Sequence, residues 1–151
     1  MNKKILIVDD EPHIRILLEQ TLDEFVDLGV KILTADNGQG AIEIIKSEKP
    51  ELVFLDVMMP TMSGAEVCGN SRQKLVTFEE PKEKNEIGFE VCKTIKKELN
   101  MKGVYIAILT AKGQDIDREK GYAAGVDIYL NKPFDPDRIV AIASEVLDVE
   151  I

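Results

Sequence analysis

The sequence predicts an α/β fold, a doubly wound five-stranded parallel sheet of order 2-1-3-4-5 with helices on both faces. Two observations carry the sheet and its layers. Short apolar runs recur along the 151 residues, and they are unbroken rather than alternating, as suits strands buried on both faces. Between them lie amphipathic stretches, so the elements read β-α-β-α-β-α-β-α-β-α, the pattern of a parallel sheet. The strand order itself rests on a resemblance given below.

Ile5–Val8 is the first strand, a four-residue aliphatic run rich in β-branched side chains. The first helix has Ile14, Leu17, Leu18, Leu22 and Phe25 at helical spacing. Pro12 fits its first turn and Asp10 its cap. Val30–Leu33 is a weaker second strand. The second helix spans Ala41 to Ile45, with Asn37 as its cap and Pro50 beyond it. Leu52–Leu55 is the third strand. Val91, Cys92, Ile95 and Leu99 line one face of the third helix, and Val104–Leu109 is the fourth strand. A fourth helix runs from Asp115 to Ala124, and Gly125 is its left-handed stop. Val126–Leu130 is the weaker fifth strand. Asp135-Pro136 reads as an N-cap and first helical position, after which Ile139, Ile142, Ala143, Val146 and Leu147 line the last helix.

One interval is too long. Pro60 to Lys102 spans 43 residues, where about 20 suffice for a crossover helix and its loops. It holds a near repeat, Gly64-Ala-Glu-Val-Cys68 and Gly88-Phe-Glu-Val-Cys92, offset by 24 residues. The second copy continues as a good helix. The first runs into Gly69-Asn70-Ser71, poor helix material. The expectation is one domain, residues 1–151, with residues 65–88 inserted near the start of the third helix. That segment is highly charged. Its one strand-like stretch, Lys74 to Phe78, is stopped by Pro81, so it reads as a flap or a loosely docked surface segment.

Composition excludes several classes. Hydrophobic residues are 44% and charged residues 31%, a globular mixture. Two cysteines, Cys68 and Cys92, make no disulfide scaffold. No apolar run approaches a membrane span, and the run after Met1 is too short for a signal peptide. The expected setting is cytoplasmic. A net charge of −9 disfavours direct nucleic-acid binding.

Ligands of such sheets bind beyond the carboxyl ends of the strands. Asp9 and Asp10 follow the first strand, Asp56 the third, Thr110 the fourth and Lys132 the fifth. Three carboxylates in one crevice repel one another, and hard oxygen donors at that density invite Mg²⁺. A carboxylate beside a cation and an ammonium group can attack phosphorus. Thr110 offers a hydroxyl and Lys132 a compact positive charge to the same phosphoryl group.

These residues sit in motifs: Ile5-Leu-Ile-Val-Asp9-Asp10-Glu-Pro12, Leu55-Asp56-Val-Met-Met-Pro60, Leu109-Thr110-Ala111 and Leu130-Asn-Lys132-Pro133-Phe134. Together they resemble the receiver domains of two-component response regulators, over nearly the whole chain apart from the insertion. The resemblance implies a flavodoxin-like strand order 2-1-3-4-5. It implies that Asp56 is the phosphoacceptor. The Mg²⁺ ligands would be Asp10, Asp56 and the backbone carbonyl of Met58, with Asp9 acting through a water. Thr110, the Ala111 backbone and Lys132 would contact the phosphoryl group, and Thr110 and Tyr129 would be the switch pair. The bond before Pro133 would be cis. Side chains two positions beyond Asp56 and Thr110, here Met58 and Lys112, would flank water's approach to the phosphorus. The donor would be a phosphohistidine of a sensor histidine kinase or histidine phosphotransfer protein. A downstream protein target would read the face of the fourth helix, fifth strand and fifth helix. The only histidine, His13, lies in the first turn of the first helix and reads as a surface residue.

Two other readings compete. An aspartyl-phosphate phosphohydrolase would want a second Asp two residues after the nucleophile, where Met58 stands. A degenerate receiver acting only as a binding module would have lost an acid or Lys132, and this chain keeps them all. No output module follows the last helix, which fits a stand-alone receiver or part of a longer protein.

Overall fold

The computed structural model describes residues 3–60, 84–85, 87–111 and 118–150. Five parallel strands form the sheet: β1 (Lys4–Val8), β2 (Lys31–Ala35), β3 (Leu52–Asp56), β4 (Tyr105–Ala111) and β5 (Ile128–Lys132). Their spatial order is β2-β1-β3-β4-β5, as expected. The helices are α1 (Pro12–Thr21), α2 (Gly38–Glu48), α3 (Ile87–Lys93), α4 (Arg118–Ala124) and α5 (Pro136–Leu147). A short helical continuation, Asp23–Asp27, extends α1, and a π-helical turn, Thr94–Glu98, extends α3.

Period-two alternation divides the core. Leu6, Val8, Val53, Leu55, Ile106 and Ile108 face one way, against Ala41 and Ile45 of α2 and Val91, Cys92 and Ile95 of the third helix. Ile5, Ile7, Leu52, Phe54, Ala107 and Leu109 face the other, against Leu18 of α1, Phe25, and Ile139, Ala143 and Leu147 of α5. Both faces of β1, β3 and β4 are buried, which is why they read as unbroken apolar runs, whereas the edge strand β2 is only partly covered. Each buried Leu, Ile or Phe contributes roughly 1.5–3 kcal/mol of transfer free energy.

Two caps follow the sequence. Asn37 accepts the Gly40 N–H at 2.7 Å through Oδ1, and Asp135 accepts the Asp137 N–H at 3.0 Å. A third does not. The N-cap of α1 is Glu11, without a side-chain bond. Asp9 Oδ1 instead accepts the Glu11 N–H at 2.9 Å, so Asp9 orders this turn and Asp10 is left for the crevice.

The fifth strand begins and ends later than its apolar run suggests. Gly125 takes a φ of 111°, and the Val126 N–H still returns to the Gly121 carbonyl at 3.0 Å. Val126 therefore belongs to the helix stop although it is buried. The strand reaches Lys132, in register with Ala111. The Lys132-Pro133 bond is cis.

Around the long interval, Met59–Pro60 pairs antiparallel with Lys84–Asn85. The third helix begins at Ile87, which is buried, so the last two residues of the segment assigned to the insertion are helical. The rest of that segment lies outside the described residues, apart from Lys84 and Asn85. Lys112, Cys68 and the first residues assigned to the fourth helix, 115–117, also lie outside them.

Candidate functional site

The carboxyl ends of β1, β3 and β5 converge on one acidic crevice. Asp9 is fully buried, Asp56 is buried, and Asp10 is half-buried. One carboxylate oxygen from each of the three lies within 4.8 Å of the others. Lys132 reaches into the group from the end of β5. Its Nζ is 2.8 Å from Asp9 Oδ2 and 3.5 Å from Asp56 Oδ1, and 3.7 Å from Glu11 Oε1. The ammonium thus bridges the acids of β1 and β3.

Burial first, and then the charge of Asp9, push the Asp56 carboxyl up to about 7; Lys132 and the Met58 N–H oppose them. The Met58 N–H donates to Asp56 Oδ1 at 3.3 Å. Burial alone would lower the Lys132 pKa. The hydrogen bond to Asp9 and the charges of Asp56, Asp9 and Glu11 outweigh it and hold the pKa above the usual lysine value. Among the described residues, one lysine stands against three acids, which leaves excess negative charge in a site of low dielectric. The all-oxygen donor set matches what Mg²⁺ takes from proteins, so the residues fit that ion.

The hydroxyl of Thr110 is buried at the end of β4. It lies 3.3 Å from Asn131 Oδ1 and 3.5 Å from the Leu130 carbonyl oxygen, both on the neighbouring strand. Ala111, half-buried, closes the same strand. Tyr129 is buried with its ring turned inward under α4. Its hydroxyl donates to the Arg118 carbonyl at 3.0 Å. Phe89 and Tyr122 meet its ring edge to face, at 6.3 and 5.1 Å between centroids. The Arg118 guanidinium carbon stands 4.8 Å over the ring centre. His13 is exposed, as its place in α1 suggests.

Three residues of this region were not legible in the sequence. Arg15 Nη1 donates to the Asp9 carbonyl at 2.7 Å, pinning the loop that carries both β1 acids. Gly88 packs on the end of β3. A Cβ there would lie 2.7 Å from the Asp56 carbonyl oxygen and 2.8 Å from Val57 Cα, and its N–H donates to Val57 O at 3.0 Å. The near repeat drew attention to Gly88 without giving this reason for it. Gly121 seats Tyr129, because a Cβ there would overlap the phenol oxygen and come within 2.6 Å of the Phe89 ring. Nothing in the local sequence of α4 signals that contact.

The chain matches the model of the response regulator receiver domain over residues 5–78 and 84–144. It is 35% identical over 147 residues to the alkaline phosphatase synthesis transcriptional regulatory protein PhoP of Bacillus subtilis, covering 97% of this chain and 49% of that protein. It is 33% identical over 147 residues to the phosphate regulon transcriptional regulatory protein PhoB of Pseudomonas aeruginosa, covering 97% of this chain and 52% of that protein. The chain thus spans about half the length of these relatives. Among solved structures it is similar to the chemotaxis response regulator CheY4 of Vibrio cholerae, with a TM-score of 0.68 and 25% identity over 97% of this chain and 99% of that one.

Proposed function

The chain belongs to the response regulator receiver domain family, and on that premise we propose that it is a phosphorylation-dependent switch with Asp56 as its phosphoacceptor. The observation that carries this reading is Lys132, whose ammonium spans Asp9 and Asp56 in an acidic crevice. That arrangement sets an ammonium beside Asp56 while leaving negative charge among the described residues for a cation to offset.

A phosphohistidine on a sensor histidine kinase or histidine phosphotransfer protein is the donor. Asp56 attacks phosphorus in line. The O–P bond forms as the P–N bond breaks, and the histidine nitrogen keeps the electron pair and takes up a proton. Asp10, Asp56 and the Met58 carbonyl would hold Mg²⁺, with Asp9 acting through a water, and the ion would supply charge neutralisation for the phosphoryl oxygens. Lys132 moves its contact from the free carboxylates to the new phosphoryl group, and the Ala111 N–H donates to it. Thr110 exchanges its contacts on β5 for a phosphoryl oxygen. Contacts made only in the phosphorylated form are what bias a two-state equilibrium. Tyr129, next to the Leu130 carbonyl that faces Thr110, carries the change to the α4-β5-α5 face, where a protein target binds. Met58, two positions beyond Asp56, cannot orient a hydrolytic water, so the phosphoryl group is long-lived. The setting is cytoplasmic.

The test is uptake of phosphate from a small phosphodonor, with and without Mg²⁺. The expected result is Mg²⁺-dependent formation of one acyl phosphate per chain. Continuous release of inorganic phosphate from phosphate monoesters would favour the phosphohydrolase reading, and no uptake at all the binding-module reading.

A further inference from the structure

Between α3 and α4 lies a groove of about 350 Å³. Phe89, Ala123 and Ala124 give it an apolar floor, and Lys93, Lys97 and Lys120 stand along it with Glu90 as the one acid among its lining residues. The floor exists because two alanines face the groove where larger side chains would fill the gap. Lys93 and Lys97 are exposed and four residues apart along the third helix and its π-helical extension. A chain of net charge −9 thus carries a local surface of opposite sign, and that surface lies over apolar side chains.

We propose that this groove docks an acidic amphipathic helix of a partner protein. Its apolar stripe would lie on Phe89, Ala123 and Ala124, and its carboxylates against Lys93 and Lys97, the helix-in-groove mode of recognition. Charge complementarity selects this occupant. The surrounding negative field repels other anionic polymers over their length, whereas a short acidic helix engages only the local lysines. The groove shares α4 with the α4-β5-α5 face, and its floor residue Phe89 touches Tyr129. A second copy of the chain is the competing occupant. Exposed Ile16, Leu17, Val26 and Leu28 lie beside Glu19, Asp23 and Asp27 on α1 and its continuation, but that contact would be head to tail, building rings or filaments rather than the two-fold dimers commonest among homo-oligomers.

The experiment titrates the isotopically labelled, unphosphorylated chain with a synthetic helical peptide of about 16 residues. Leucines occupy one helical stripe and glutamates the remaining positions, and the control is the same composition scrambled. Saturable amide shifts confined to α3, its extension and α4 are expected, with a Kd between about 10 μM and 1 mM at low salt. Both Lys93→Glu with Lys97→Glu and the milder Lys93→Gln with Lys97→Gln should weaken binding, the charge reversal by about tenfold or more. The proposal is overturned by no saturable shift up to about 1 mM peptide, by shifts that map elsewhere, or by equal affinity in the charge-reversed chain. Self-association of the chain that the same reversal abolishes would assign the groove to a second copy and overturn it too. No phosphodonor is present, so either outcome is independent of the role of Asp56.

Discussion

The acid crevice and the aromatic seat under α4 lie at the same end of the sheet but are held by different physics. In the crevice, Asp9, Asp10 and Asp56 oppose one another and Lys132 offsets part of their charge. Under α4, Tyr129 is held by fit. Gly121 leaves room for its phenol, and Phe89 and Tyr122 close on its ring. The crevice is therefore sensitive to pH, salt and cations, and the aromatic seat to the loss or gain of a single carbon. The two regions can be broken separately.

The largest effect should come from Asp56→Asn. It should abolish phosphate uptake and also remove a pH dependence of stability. The Asp56 carboxyl is raised to about 7 in the folded chain, against roughly 4 when unfolded. The native state therefore holds this proton more tightly, and the group's contribution favours folding at low pH. It is lost as pH rises from about 4 to 7. Without Mg²⁺, urea unfolding should show Asp56→Asn stabilising the chain at pH 8 by about 1–3 kcal/mol and much less at pH 5. Equal effects at both pH values would mean that the crevice is not charge-frustrated.

Next in size is Gly121→Ala. The added methyl cannot coexist with the present Tyr129 ring, and overpacking of this kind costs about 1–3 kcal/mol. Chemical denaturation should show that loss at pH 5 and pH 8 alike, unlike the Asp56 effect. Pairing it with Tyr129→Ala should recover much of it. If Gly121→Ala is neutral, the ring is not seated as described.

Asp10→Ala should weaken Mg²⁺ binding about tenfold or more while leaving the fold intact, since it removes one carboxylate ligand. An unchanged Mg²⁺ titration would take Asp10 out of the metal site. The smallest expected change is kinetic. Met58→Asn should speed loss of the phosphoryl group a few-fold, about 1 kcal/mol in barrier, by admitting and orienting water. A decay rate unchanged or slower would remove Met58 from that role.

The same contrast explains what could be read in advance. Asp9, Asp10, Asp56, Thr110 and Lys132 follow apolar runs, so the topology alone brings them to one edge, and residue type announces their chemistry. The strand order followed from the family's motifs. The Tyr129 seat was not legible, because it depends on the absence of a Cβ on another helix, which no local pattern encodes. Arg15 likewise acts on a backbone carbonyl six residues back, and a surface arginine gives no sign of that. The α1 cap was misassigned because Asp9 and Asp10 are chemically equal as caps. Burial decides between them, with Asp9 turned into the site and bonded to the Glu11 N–H. Val126 misled for a related reason, since an apolar residue in a helix stop is indistinguishable by composition from the first residue of a buried strand.

The switch turns on Asp56. The most direct measurement incubates the chain with a small phosphodonor and Mg²⁺, reduces the product with borohydride, and locates the modified residue by peptide mass spectrometry. An acyl phosphate on Asp56 is reduced to homoserine, so homoserine is expected at position 56, in amounts that fall when Mg²⁺ is withheld. Homoserine at another aspartate, or reduction-insensitive phosphate on a serine or threonine with position 56 unchanged, would contradict it.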